Sequence, residues 1–362
     1  MSFDFKKVFS SLQNSTSTKA TKVVGIDFGS SSVKVVELQL HDDVITLSTY
    51  GELQLGPYAE TSMGAVAKLT LQKRVEALVD VFRESSISAK DAVFALPLSD
   101  SFVTIISLPA QAEEDIAPRV NVEARKYIPV PIADVTLEWS EIPQNAIQAE
   151  LTREVLLAAI QNQSLADVKE LLEAISLNSK PAEIELFSTL RASTKESDTT
   201  SVAIIDLGAS VSKLYIAEGG FLRRLHRVQF GGAFATNTIA AQLKISFEEA
   251  ENLKRNYTPN NPHAAVIKKG VENAFERSFL EFKRVITQYE VRTCTSIGRI
   301  ALTGGSAAFI GAQQYATYAL DRQVEMVNPF TKIAFPAFLE DTLTSIAPSF
   351  SVALGAALRT FE

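Results

Sequence analysis

The sequence predicts an α/β protein of two similarly built lobes that hold a ligand between them. The pattern Asp-Φ-Gly-x-Ser-x-x-Lys, in which Φ is a large apolar residue, occurs twice, at Asp27–Lys34 and at Asp206–Lys213. Each copy follows an apolar run of the kind that forms a buried strand. The chain of 362 residues also exceeds the length at which a single hydrophobic core usually stops growing. Together these observations predict a duplicated fold.

The segment around the first loop is predicted to form the core of lobe 1. A proline directly after the last apolar run favours the end of a buried strand there. The predicted elements are two strands, a helix and a third strand, at Val33–Leu40, Val44–Tyr50, Ala65–Glu84 and Asp91–Leu96. We assign residues 23–98 and 181–199 to this core, and we expect the apolar helix at 349–360 to pack back on it. Gly355 weakens that helix by ~1 kcal/mol relative to alanine.

Residues 99–180 are predicted to form a separate small domain that is inserted into lobe 1. Its apolar periodicity follows a β-α-β-β-α order. The predicted elements are Ser101–Leu108, Glu113–Tyr127, Val135–Glu141, Val155–Gln161 and Leu165–Leu177.

Residues 200–348 predict lobe 2, with a helical subdomain at about 240–295. Ser246 and Glu249 have the spacing of a capping box, in which each side chain satisfies a backbone N–H of the other residue. The predicted elements after the second loop are Lys213–Ala217, Phe221–Val228, Phe234–Leu243, a helix from Ser246 to Tyr257, Ala264–Thr293, Arg299–Leu302 and Ala307–Leu320.

The composition excludes several classes of protein. A net charge of −7 and a pI near 5.3 argue against a nucleic-acid binder, whose surface is basic. No apolar run is long enough to span a bilayer, and the N-terminus lacks the apolar region of a signal peptide. Residues 1–22 are predicted to form a flexible segment with a short amphipathic stretch at 5–12. This segment is either a frayed terminus or a site that contacts a membrane or a partner.

Both loops have the composition of a phosphate-binding turn. Consecutive backbone N–H groups in a Gly/Ser turn form a concave set of donors, and small side chains let the backbone approach phosphate oxygens. Ser30 and Ser31 add hydroxyl donors in the first loop. Because a carboxylate repels phosphate, we expect Asp27 and Asp206 to hold Mg²⁺ through water, since this ion keeps several of its waters. A nucleotide with Mg²⁺ is therefore the predicted ligand.

Other candidate site residues leave two interpretations open. Lys34 and Lys213 either reach phosphate or are solvated strand residues. The turn at residues 303–306 is either an ordinary strand–helix connection or an anion site at a helix N-terminus. Glu251 and Lys254 lie three residues apart on one helix face, where they either point into a pocket or form a surface ion pair.

The three loops in this order resemble the ATPase superfamily of actin, the 70-kDa chaperones and the sugar kinases. Within it, residues 25–38, the Tyr-Ile-Pro-Val-Pro segment at 127–131 and the strand at 155–160 resemble the PilM family of type IV pilus assembly. The resemblance covers roughly residues 20–360. It implies a bilobed actin-like ATPase fold with duplicated RNase H-like lobes, an insert domain of the kind found in the division protein FtsA, and ATP with Mg²⁺ as ligand.

The resemblance also implies roles for individual residues. The phosphates and Mg²⁺ are expected at Asp27, Gly29, Ser30, Ser31, Ser32, Lys34, Asp206, Gly208, Ala209, Ser210 and Lys213. The ribose and α-phosphate are expected at Gly304, Gly305 and Ser306, a phosphate-side turn at Gly231 and Gly232, and the adenosine pocket at Glu251 and Lys254. Glu185 lies near the position from which relatives orient an attacking water, and it is the candidate catalytic residue.

The sequence departs from the family pattern at two positions that bear on ATP hydrolysis. Ala209 stands where the first loop has Ser30, which removes a hydroxyl donor, and Leu186 stands where the family usually has proline. Binding of ATP is therefore a firmer expectation than its hydrolysis, which stays open.

The resemblance implies a protein partner, the N-terminal cytoplasmic tail of the membrane protein PilN, held as an extended peptide beside the insert domain. Arg125, Tyr127 and Trp139 lie in the corresponding segment. Through this partner the chain is expected at the cytoplasmic face of the inner membrane, together with the pilus platform and cytoplasmic motor components. Two alternatives are an FtsA-like membrane-associated filament protein and a small-molecule kinase, for which the sequence offers no clear base beyond the expected Mg²⁺ ligands.

Overall fold

A computed structural model describes residues 21–109, 116–143, 152–195, 198 and 200–362. The amphipathic stretch predicted at 5–12 lies outside these ranges. Two of the three β-sheets in the described residues have equivalent strand orders, as the repeated loop predicts.

The first sheet contains the first loop. Its order is β3-β2-β1-β4-β8, and β9 also pairs with β4. Strands β1, β2 and β3 are antiparallel neighbours, whereas β4 runs parallel to β1 and to β8 and β9. The strands are β1 (Lys22–Phe28), β2 (Ser32–His41), β3 (Val44–Gln54), β4 (Asp91–Leu96), β8 (Asn178–Ser179) and β9 (Glu183–Ile184).

The second sheet repeats this arrangement around the second loop. Its order is β12-β11-β10-β13-β14, with β10 antiparallel to β11 and parallel to β13. Asp27 lies opposite Lys34 in the first sheet, and Asp206 lies opposite Lys213 in the second. The strands are β10 (Ser201–Leu207), β11 (Ser212–Glu218), β12 (Phe221–Val228), β13 (Ile297–Thr303) and β14 (Glu325–Met326).

The third sheet is antiparallel and lies in the predicted insert. Its order β5-β7-β6 leaves β6 at an edge. The strands are β5 (Ser101–Pro109), β6 (Val135–Glu141) and β7 (Thr152–Gln161). The predicted order of elements in this segment agrees with the structure, while the division of the whole chain into domains by residue number stays a prediction.

The helices cover the sheets through apolar faces. Helix α1 packs on the first sheet, α2 packs on the third, and α7 packs on the second. The helices are α1 (Leu71–Glu84), α2 (Ala117–Ala124), α3 (Asn162–Ala174), α4 (Glu185–Ser193), α5 (Gly232–Leu243), α6 (Phe247–Arg255), α7 (Ala264–Thr293), α8 (Ala312–Leu320), α9 (Glu340–Ile346) and α10 (Ser351–Leu358).

Helix α10 packs against lobe 1, and two glycines allow a close approach. A Cβ at Gly25 on β1 would lie 2.0 Å from the carbonyl oxygen of Ala353, and a Cβ at Gly355 would lie 2.0 Å from that of Ser188 on α4. Every residue of α10 is buried. The helix therefore fills the space between β1 and α4 with almost no side chain in between.

Several predicted helices are shorter in the structure. Helix α2 ends at Ala124 and not at Tyr127, and two further differences have a clear local cause. Helix α1 begins at Leu71, not at Ala65, because the Thr70 hydroxyl caps it by accepting from the backbone N–H of Lys73. The helix predicted from Ala307 is interrupted at Gly311, whose φ of +96° is incompatible with a continuous right-handed helix.

Candidate functional site

A cleft of about 880 Å³ lies between the first and second sheets and gathers nearly all the predicted site residues. Of that set, only Gly231 does not line it. The lining includes Asp27, Gly29, Ser30, Ser31, Ser32, Lys34, Glu185, Asp206, Gly208, Ala209, Ser210, Lys213, Gly232, Glu251, Lys254, Gly304, Gly305 and Ser306.

The two phosphate-type loops have the same turn geometry. The Gly29 N–H donates to the Ser32 carbonyl at 3.0 Å, and the Gly208 N–H donates to the Val211 carbonyl at 3.1 Å. A Cβ on either glycine would lie within 3.0 Å of that same carbonyl oxygen. Glycine therefore allows this close turn in both loops, where a side chain would crowd the carbonyl oxygen.

The turn before α5 and the third loop converge on the second loop. The Gly232 N–H donates to the Gly208 carbonyl at 3.0 Å, and the Ser306 hydroxyl donates to the same carbonyl at 3.1 Å. Gly231 packs on the Ala209 backbone, where a Cβ would lie 2.5 Å from the carbonyl oxygen. Gly231 therefore supports the loop from outside the cleft, which explains why it does not line it.

Lys213 joins the two lobes by contacting two carboxylates. Its Nζ lies 2.8 Å from Glu185 on α4 and 3.2 Å from Asp206 on β10. Burial alone lowers the pKa of Lys213, but the neighbouring carboxylates outweigh burial and hold this pKa well above its usual value. The other oxygen of Glu185 accepts from the Leu98 N–H at 2.7 Å.

Asp27 is a largely buried carboxylate near the end of the first sheet's central strand. It keeps limited solvent access through the cleft, but protein atoms surround it. This burial, together with Glu185 and Asp206, raises the pKa of Asp27 from 3.8 to about 6 against the opposing effects of Lys34 and Lys213. A cation at this position would stabilise the ionised carboxylate.

Lys34 contacts neighbouring strand residues. Its Nζ donates to the Ser32 hydroxyl at 2.7 Å and lies 3.4 Å from Glu52. Both predicted phosphate lysines therefore line the cleft while also contacting protein side chains.

Glu251 and Lys254 form a buried network and not a surface ion pair. Glu251 accepts from the Thr236 hydroxyl at 2.5 Å and lies 2.6 Å from Lys254 and 2.7 Å from Arg255. Burial raises the pKa of Glu251, but these three donors outweigh it and hold the pKa below its usual value. Lys254 also donates to the Gly232 carbonyl at 3.0 Å, which links α6 to the start of α5.

Several residues of the cleft are not among the predicted site residues. Apolar side chains at Tyr257, Val271, Phe275 and Phe309 line it beside the third loop, and Arg255 extends the network of Glu251. These apolar residues gave no signal, because core packing explains apolar side chains equally well, both within helices (Val271 and Phe275) and beside them (Tyr257 and Phe309).

The donor set fits Mg²⁺ held largely by water. Across the described residues, no group of three or more His, Cys, Asp or Glu side chains is placed to hold a metal ion. Asp27 and Asp206 are two carboxylates at the last position but one of corresponding strands. Mg²⁺ is commonly bound through one or two carboxylates plus phosphates and water. Within the same ranges, no helix has both the length and the apolarity needed to cross a membrane.

Solved structures are similar to this chain over nearly its whole length. A chain of a PilM-PilN type IV pilus biogenesis complex aligns with a TM-score of 0.79 and 23% identity, over 95% of this chain and 100% of that chain. EutJ, the ethanolamine utilization protein of Carboxydothermus hydrogenoformans, gives 0.57 and 14%, over 98% and 94%. MreB 5 of Spiroplasma citri bound to AMPPNP gives 0.52 and 11%, over 95% and 97%. These similarities confirm the predicted actin-like ATPase fold.

A family model for the Type IV pilus assembly protein PilM matches residues 25–361. The match includes both phosphate-type loops, the third loop and the insert, in the order in which the fold places them. The chain therefore belongs to the PilM family of type IV pilus assembly.

Proposed function

We propose that the protein is a scaffold of type IV pilus assembly that binds ATP with Mg²⁺ in the cleft and the N-terminal cytoplasmic tail of PilN beside the insert. The observation that carries the nucleotide assignment is the facing pair of loops, each with the same glycine turn and an aspartate at the same strand position. In this proposal the protein lies at the cytoplasmic face of the inner membrane, with the pilus platform and motor components as further partners.

The cleft offers matching environments to the parts of ATP. The backbone donors and serines of the two loops suit phosphate oxygens, and Asp27 and Asp206 suit Mg²⁺. Glu251 and Lys254 suit the ribose hydroxyls, and the apolar side chains beside the third loop suit the base. The AMPPNP bound to MreB 5, a protein of the same fold, supports this assignment.

The contacts of Glu185 favour binding over rapid hydrolysis. One carboxylate oxygen accepts from the Leu98 N–H, and the other lies 2.8 Å from the Lys213 ammonium. A general base needs a free oxygen that can contact the attacking water, and protein donors already contact both carboxylate oxygens of Glu185. We therefore assign Glu185 to positioning Lys213, with slow turnover at most.

Gly304→Ala should weaken binding of MgATP at least about tenfold, the loss expected when ~1.4 kcal/mol of contacts is removed. Gly304 has a φ of +94°, and its Cβ would lie 2.4 Å from the Asp206 carboxylate and 2.6 Å from the Leu207 carbonyl oxygen. The added methyl group thus occupies the space between the second and third loops. Isothermal titration calorimetry with MgATP measures the effect.

Gly311→Ala is the matched control for this experiment. Its φ of +96° imposes similar backbone strain, but a Cβ there has no neighbour within 4 Å. We expect it to bind MgATP like the wild type. Wild-type protein that does not bind MgATP at all would overturn the proposed nucleotide function.

Arg223 provides a physical link between lobe 2 and the insert. The register of β12 shifts at this residue, and such a bulge re-aims a side chain. The guanidinium donates to the Pro143 carbonyl at 2.8 Å and lies 3.3 Å from Glu154 on β7. A rotation of lobe 2 driven by the nucleotide would therefore act directly on the insert, where the PilN tail is proposed to bind.

Arg223→Ala should reduce the effect of MgATP on binding of a PilN-tail peptide. We expect a nucleotide-dependent change of peptide affinity in the wild type, and a smaller change in the variant, because the charged contacts to the insert are lost. Fluorescence anisotropy of a labelled peptide, with and without MgATP, measures both values.

Arg224→Ala removes the exposed neighbouring charge and should leave the coupling unchanged. Equal coupling in the Arg223 variant and the wild type would contradict this link. Unchanged co-purification after deletion of the PilN tail would contradict the proposed partner.

A further inference from the structure

Residues 54–67 form a connection that we call the strap, and both of its ends are attached to the first phosphate-type loop. The Leu55 N–H donates to the Ser31 carbonyl at 2.9 Å, and the Ala67 N–H donates to the Ser30 carbonyl at 2.8 Å. The strap therefore starts and finishes on the two serines expected to face the phosphates. A displacement of the strap necessarily pulls on this loop.

Internal contacts hold the strap in a defined shape. The Gly56 carbonyl accepts from the Thr61 N–H at 2.9 Å, and a Cβ at Gly56 would lie 2.2 Å from the Ser62 carbonyl oxygen. The Tyr58 hydroxyl donates to Asp80 on α1 at 2.5 Å. The strap is thus an ordered part of lobe 1 that can transmit a contact at its tip.

The tip of the strap rests on the opposite lobe. Gly64 has a φ of +80°, and its Cβ would lie 2.4 Å from the Glu251 carboxyl carbon and 2.5 Å from one of its oxygens. At the start of the strap, the Gln54 side-chain oxygen accepts from Arg255 at 2.8 Å. Both contacts reach α6, the helix that carries the network of Glu251.

We propose that the strap is a latch on the nucleotide cleft, and that its contacts with α6 limit the rates at which nucleotide enters and leaves. This inference rests on the proposed nucleotide function and adds the control of exchange to it. The strap joins the serines assigned to the phosphates to the carboxylate assigned to the ribose. A nucleotide that contacts both lies alongside the strap, and the lobes cannot separate around it while Gly64 and Gln54 remain on α6.

The test is the kinetics of a fluorescent ATP analogue, mant-ATP with Mg²⁺, in stopped flow. Gln54→Ala removes one hydrogen bond to α6, which corresponds to an increase of about fivefold in the opening equilibrium. Gly64→Ala should have an effect at least as large, because its Cβ cannot fit against Glu251. Since a latch obstructs both directions, the association and dissociation rate constants of Gln54→Ala should rise together, and its affinity should change less than either.

Gly219→Ala is the control, because its φ is also positive, at +54°, and its Cβ would meet nothing within 4 Å. It should show wild-type rates. Circular dichroism verifies that each variant is folded, and Gln54→Ala retains the native strap glycine should Gly64→Ala misfold. Rates unchanged in Gln54→Ala, or a rise in dissociation without a rise in association, would overturn the latch. Absence of mant-ATP binding in the wild type would overturn the proposed nucleotide function as well.

Discussion

Asp27→Asn is expected to stabilise the nucleotide-free protein at pH 8 while removing most of its affinity for MgATP. Burial raises the pKa of Asp27 from 3.8 to about 6. A carboxyl with a higher pKa in the folded state binds its proton more tightly there, so stability falls as the pH rises from about 3.8 through about 6. Above that pH the ionised group costs up to about 3 kcal/mol. Asparagine has no such cost, but it cannot hold Mg²⁺ as a carboxylate does.

Thermal unfolding at pH 8 and pH 5, with and without MgATP, separates the two effects. Without ligand, the variant should have the higher Tm at pH 8, and the difference should shrink at pH 5. With MgATP, the wild type should gain stability by RT ln(1 + c/Kd), where c is the concentration of free MgATP, and the variant should gain little. Asp43→Asn, in an exposed turn, should change neither quantity. A variant less stable than the wild type at pH 8 without ligand would contradict the prediction.

Gly355→Ala is expected to destabilise the protein by about 2 kcal/mol, although alanine is the better helix former. Helix propensity favours alanine by ~1 kcal/mol, which is the basis on which the sequence marks Gly355 as a weak point of its helix. In the structure a Cβ there would lie 2.0 Å from the Ser188 carbonyl oxygen. This neighbour is backbone and cannot turn aside, so overpacking outweighs propensity.

A decrease in Tm of roughly 2–3 °C is the expected readout for Gly355→Ala. Gly305→Ala provides the comparison, because the nearest atom to its Cβ would be the Ser349 hydroxyl at 4.0 Å. That substitution should stay within about 0.5 kcal/mol of the wild type. A Tm of Gly355→Ala at or above the wild-type value would show that α10 can move away from α4 at no cost.

The sequence predicts well those elements whose signals are local. The capping box at Ser246 is present in the structure with both reciprocal hydrogen bonds, and the helix predicted at Ala264–Thr293 has these bounds. Local sequence patterns predict an element less well where a contact with a residue far away in the sequence determines the backbone. Ala65 and its neighbours have helical spacing, but the backbone there turns to reach Ser30, so the helix starts only at Leu71.

For the same reason, the sequence predicts only those parts of the cleft that carry a local pattern. The aspartates, glycines and serines of the loops have a characteristic spacing that can be recognised in the sequence, and the structure brings them together in the cleft. The contacts of Gly64 with Glu251 and of Arg223 with Pro143 join residues far apart in sequence. No periodicity marks such pairs, because only the packing of one lobe on another determines them.

The position of α10 has a consequence for how the protein matures during synthesis. The sheet that carries Asp27 forms from early residues, but one of its apolar faces, including Val23, Val36 and Leu38, is covered by residues from Phe330 onward. The Gly304 N–H likewise donates to the Pro348 carbonyl. A nascent chain therefore exposes this face until translation has passed residue 358. We expect the packing of this sheet, and with it the contact between Gly304 and Pro348, to be completed only at that late stage.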